Sequence, residues 1–106
     1  MSRTSRSCPA ALLALVALAG AATGCGGGPP SATPADAARA NVALEELQRG
    51  RSLLVSQCGG CHRPPLPSEY RAREWPSKLD EMAERSNLDA GERRVLLSYL
   101  VAMSAP

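Results

Sequence analysis

The chain has 106 residues, which suits one small domain. Twelve Lys and Arg against ten Asp and Glu give a net charge of +2, with no basic tract that would suit nucleic acid. Neither a Walker A nor a G-x-G-x-x-G pattern is present, so a phosphate-cradling glycine loop is excluded as well.

At the start of the chain, Arg3 and Arg6 form a positive region and Ala10 to Ala19 an apolar run, followed by small residues and Cys25. This is a secretory signal pattern, and the run is shorter than the roughly 20 residues that span a bilayer. Residues 1–24 are therefore read as a signal peptide, and Met1, Cys8, Arg3 and Arg6 leave with it. The remaining acidic and basic side chains then balance.

Ala22-Thr23-Gly24-Cys25 resembles a bacterial lipoprotein processing site, with alanine where leucine is more usual. The resemblance implies cleavage before Cys25 and lipidation of Cys25, giving a membrane-anchored lipoprotein that faces the periplasm. The alternative is an ordinary cleaved signal peptide. Residues 25–34, rich in Gly and Pro, read as a flexible tethering linker, and 35–106 as the folded domain.

Ala35 to Gln57 reads as one helix. Leu44, Leu47, Leu54 and Cys58 recur at spacings that place them near one face, with Glu45, Glu46, Gln48, Arg49 and Arg51 around the rest. Gly50 sits mid-helix, where it costs about 1 kcal/mol relative to alanine. It marks a close helix crossing, or else a break between two shorter helices.

Cys58-Gly59-Gly60-Cys61-His62 matches C-x-x-C-H, the attachment signature for c-type haem. Two thiols at this spacing can add to the two vinyl groups of one haem, with the next histidine beneath the iron. Export agrees with this reading, because such haem is attached outside the cytoplasm. A thioredoxin-like site would need a βαβ context, and no alternating strand pattern precedes Cys58. A closed zinc site needs four ligands, and the exported chain offers Cys58, Cys61 and His62, with Cys25 assigned to the lipid. A plain disulfide remains open.

Three prolines within Arg63 to Pro67 rule out a helix or a central strand. The run reads as a stiff loop or a plain rigid turn. Trp75-Pro76 opens a second helix, with Trp75, Leu79 and Met82 on one stripe and Ser86-Asn87 at its end. Trp75 either packs as core or reaches a haem propionate, and Arg71 and Arg73 either pair with propionates or form a solvated face. Asp89 and Glu92 form a capping box for the last helix. Its apolar face is Val95, Leu96, Tyr99, Leu100 and Met103, with Tyr99 placed to meet Gly50.

From about Ala43 to Met103 the chain resembles compact monohaem class I cytochromes c. The resemblance rests on the C-x-x-C-H motif, Gly50 eight residues before Cys58, and the segment Trp75…Met82…Tyr99-Leu100. Leu54 departs from the aromatic that many relatives carry, and the gap from His62 to Met82 is short for the class at large. The resemblance implies an all-α fold with N- and C-terminal helices crossing around one haem c, bound through two thioethers from Cys58 and Cys61. His62 is the only histidine. The implied axial ligands are His62 and Met82, with Met103 or no methionine as alternatives for the second. The resemblance also implies a proline carbonyl, with Pro65 the candidate, as acceptor for the histidine ring N–H, a plain rigid turn being the equal alternative.

The implied function is single-electron transfer between extracytoplasmic donor and acceptor proteins, without catalysis by the chain itself. A haem-based sensor or small-gas binder with a weak or absent sixth ligand is the alternative. A thiol redox or metal-binding lipoprotein without haem is a third reading.

Overall fold

The computed structural model describes residues 27–59 and 63–106. The leader, Cys25, Gly60, Cys61 and His62 lie outside the described residues. Among the described residues there are four α-helices and no strand: α1 Pro34–Ala40, α2 Leu44–Cys58, α3 Trp75–Ala83 and α4 Ala90–Met103. Two 3-10 turns, Pro67–Glu69 and Ala72–Glu74, lead into α3. The all-α expectation therefore holds, and the arrangement is compatible with a small cytochrome c fold. None of these helices is long and apolar enough to cross a membrane.

The N-terminal helix is two helices, and the break falls at Asn41 rather than at Gly50. Thr33 caps α1: its Oγ1 accepts from the Asp36 N–H at 3.3 Å, and its own N–H donates to Asp36 Oδ2 at 2.9 Å. Asn41 ends α1 with a left-handed backbone, φ 53°, and its N–H donates to Ala38 O. Asparagine tolerates that conformation better than most residues, so the chain turns there. The Asp36 carboxyl is lowered from 3.8 to about 2, first by the Thr33 hydroxyl, then by the Thr33 N–H and by Arg39.

Helix α2 keeps the expected face, with Leu47 and Leu54 buried. Leu54, Trp75, Leu79, Leu96, Tyr99 and Leu100 form the core, each 1% exposed or less. Full burial of one such aliphatic side chain contributes roughly 1.5–3 kcal/mol. The α2/α4 crossing is centred on Gly50: a Cβ there would meet Tyr99 Cβ at 2.5 Å and Val95 O at 2.6 Å. No side chain larger than hydrogen fits without moving a helix. Beside the crossing, Ser98 Oγ donates to Glu46 Oε1 at 2.8 Å.

The capping box of α4 is present: Asp89 Oδ1 accepts from the Glu92 N–H at 2.8 Å, and the Asp89 N–H donates to Glu92 Oε2 at 3.1 Å. An Arg93–Asp80 ion pair ties α4 to α3.

Residues 29–33 do not behave as the free linker that their composition suggests. Pro29 is buried and Ala32 is 8% exposed. Pro29 O accepts from Arg51 Nε at 2.8 Å, and Pro30 O accepts from Tyr99 Oη at 2.6 Å. The prolines carry no N–H to satisfy, and their carbonyls find donors on both crossing helices.

Candidate functional site

Cys58 is the last residue of α2, one helical turn beyond Leu54. It is half-buried and packs against the core cluster. Burial pushes its thiol pKa up. A redox-active thiol needs the opposite, a pKa lowered by a nearby positive charge or a helix N-terminus. At a helix C-terminus the dipole works against the thiolate as well. Cys58 therefore lacks the setting of an activated thiolate, which weighs against the thiol-exchange reading.

The same cluster gathers further partly buried apolar residues: Tyr70, Met82, Leu88, Leu97 and Met103. Met82 lies near the C-terminal end of α3. Its carbonyl accepts from Ser86 Oγ at 2.6 Å and from the Arg85 N–H at 3.1 Å. These bonds close the turn after α3 and hold the backbone at Met82. Met103, at the end of α4, reaches the same cluster, so packing alone does not separate the two methionines.

A planar macrocycle with an apolar face needs an apolar surface beside the thiols that bind it. Cys58 at the margin of a cluster with six fully buried side chains, ringed by incompletely covered apolar ones, fits that requirement. Cys61 and His62, and any contact of Pro65 with His62, lie outside the described residues.

Trp75 is core. Its indole Nε1 donates to Pro67 O at 3.0 Å, and its ring meets Tyr70 edge-on, 84° between planes with centroids 5.1 Å apart. Lys78 Nζ lies 5.5 Å from the Tyr70 ring centroid. The indole hydrogen is thus committed to the proline loop rather than available to a propionate. This bond was missed by the sequence reading, because a proline carbonyl eight residues away gives no periodic signal. Arg71 and Arg73 are exposed and line a groove of about 720 Å³ with Arg39, Val101 and Ala102. A second groove of about 480 Å³ runs past Arg94 and Leu97. Neither groove is lined by Cys58 or Met82.

Over 68 residues the chain is 32% identical to the cytochrome c-type protein TorY of Haemophilus influenzae. The alignment takes in 57% of this chain and 18% of the relative. The chain thus spans about a fifth of the length of the curated relative it matches. No family model and no solved structure matches. The similarity is to a minor part of a protein named as a c-type cytochrome.

Proposed function

We propose that the protein is an exported c-type cytochrome that carries single electrons between extracytoplasmic partner proteins through one covalently bound haem c. Cys58 and Cys61 supply the thioethers, and His62 and Met82 the axial ligands. Cys25 carries the lipid that holds the protein to a membrane on its periplasmic side. The carrying observation is the Cys58–His62 sequence motif, whose first cysteine ends a helix that crosses the last helix at Gly50, eight residues earlier.

Such a group supplies reversible one-electron oxidation and reduction at iron. The chain's own residues do the rest. Leu54, Trp75, Leu79 and Leu100 exclude water from one side of the attachment point. The Ser86 and Arg85 bonds to Met82 O hold the backbone that presents the thioether. A rigid surround suits a carrier, because a site that does not rearrange does not slow the electron. On this reading the protein relays electrons and transforms no substrate.

The test is an absorption spectrum of the purified protein, expressed with its leader in a host that matures cytochromes c. A sharp low-spin α-band in the reduced form, with a weak methionine–iron band in the oxidised form, is the expected result. Covalent haem with a broad high-spin spectrum that shifts on adding carbon monoxide would favour the sensor reading. Protein without haem would leave Cys58 and Cys61 as a thiol pair.

A further inference from the structure

Residues 29–33 form a strap across the α2/α4 crossing. Pro29 is buried with its carbonyl on Arg51 of α2, and the Pro30 carbonyl is on Tyr99 of α4. Ala32 is buried, and Thr33 then starts α1. Arg39 at the end of α1 donates to Ala102 O at 3.3 Å, which fastens the far end of the same run to α4. From Pro29 onward the chain belongs to the domain.

This changes the reach of whatever is attached at Cys25. Four residue steps separate Cys25 from Pro29. Fully extended they span at most about 14 Å, whereas a free linker to Pro34 would span about 30 Å. Thirty ångströms is roughly the width of a small domain. A tether of that length lets a domain present any side, and one half as long does not. Arg51 to Cys58 is seven residues of α2, about 10 Å of helix.

We propose that the surface around the Pro29 strap and the α2/α4 crossing is the face by which this protein rests on a lipid bilayer. The bilayer is the one that holds the acyl chains of Cys25, so the inference rests on the lipidation reading above. Arg51 and Tyr99 are positioning residues: they fix the strap and thereby the side of the domain turned to the headgroups.

The test uses the full precursor, matured in a competent host and reconstituted in phosphatidylethanolamine/phosphatidylglycerol vesicles. Intact mass first reads the lipid on Cys25. Amide hydrogen exchange is then compared between the vesicle-bound protein and a soluble Cys25→Ser form. In the soluble form the chain should resist limited elastase cleavage at Ala32, because that residue is buried. Arg51→Gln with Tyr99→Phe should speed that cleavage by roughly tenfold, the effect of losing the two hydrogen bonds that hold the strap.

On vesicles, the exposed side of α2 around Gln48 to Ser52 should be further slowed while α3 is unchanged. Inserting about ten Gly/Ser residues between Gly28 and Pro29 should return α2 to its soluble rate. Rapid cleavage at Ala32 in the soluble parent protein, or a rate unchanged in the double variant, would overturn the strap. Equal α2 exchange on and off vesicles, or protection that survives the insertion, would overturn the bilayer face while leaving lipidation intact. An intact mass without lipid would remove the anchor itself, and this inference with it.

Discussion

Gly50 of α2 and Tyr99 of α4 approach so closely that a methyl group on Gly50 would lie 2.5 Å from the Tyr99 Cβ. Helix propensity alone makes Gly50→Ala stabilising by about 1 kcal/mol. The crossing reverses the sign, because the new methyl also meets the Val95 carbonyl oxygen, which is backbone and cannot rotate away. Overpacking of this kind typically costs about 1–3 kcal/mol. Gly50→Ala is therefore expected to lower the urea midpoint. A midpoint equal to or above that of the parent protein would show that the helices separate freely.

Trp75→Phe keeps an aromatic ring against Tyr70 but removes the indole N–H that serves Pro67 O. A buried carbonyl left without its donor costs about 1–3 kcal/mol. The loss should appear in thermal unfolding. A stability equal to the parent's would mean that the Nε1 bond contributes nothing and that packing alone holds the proline loop.

Tyr99 gives the fold an alkaline limit. Burial pushes its phenol from 10.0 up to about 12, with Arg51 pulling it down and Asp36 pushing it up. The folded pKa lies above the unfolded one, so the folded state keeps a proton that the unfolded chain gives up. The resulting stability is complete below pH 10 and is lost as pH rises from 10 towards 12. Urea midpoints measured from pH 8 to 12 should fall over that window. Tyr99→Phe should flatten the fall, although its stability at pH 8 is lower for want of the Pro30 bond. An undiminished alkaline slope in the variant would assign the titration to another group.

Met82 and Met103 reach the same apolar cluster, and the haem-loaded protein tells them apart. Met82→Ala should turn a six-coordinate, low-spin iron into one that binds carbon monoxide readily. Met103→Ala should keep the low-spin spectrum and lose stability only, by less than the roughly 2–5 kcal/mol of a fully buried methionine, because its side chain is partly buried. The reverse pattern would transfer the ligand role to Met103.

Much of this was legible because it depends on local chemistry. Asp89 and Glu92 announce the start of α4 by the reach of two side chains. The stripe Trp75, Leu79, Met82 follows from helical spacing, and Gly50 from the absence of a reason for glycine mid-helix. The break at Asn41 was hidden by the alanine-rich stretch around it, which satisfies a helix pattern on either side. The Thr33…Asp36 pair that starts α1 was a usable signal, since a capping box just before Ala37 marks a separate short helix. The seating of Pro29 and Pro30 had no signal of either period: two carbonyl oxygens meet two donors 22 and 69 residues away. At the motif itself the sequence speaks louder than the fold, because of its residues only Cys58 and Gly59 are among those described.

The crossing of α2 with α4 also governs how the chain can fold. Gly50 and Tyr99 are about fifty residues apart, and closing a loop of that length costs on the order of 3–4 kcal/mol before any contact repays it. Helix α2 has 15 residues, the length at which an isolated helix is marginal in water. It cannot wait, formed, for its partner. A nascent chain that has emerged only as far as Asn87 has the motif but no opposing surface for Leu47 and Leu54. Such a chain remains largely unstructured, with the thiol of Cys58 open to solvent, until the last fourteen-residue helix arrives and the two helices consolidate together.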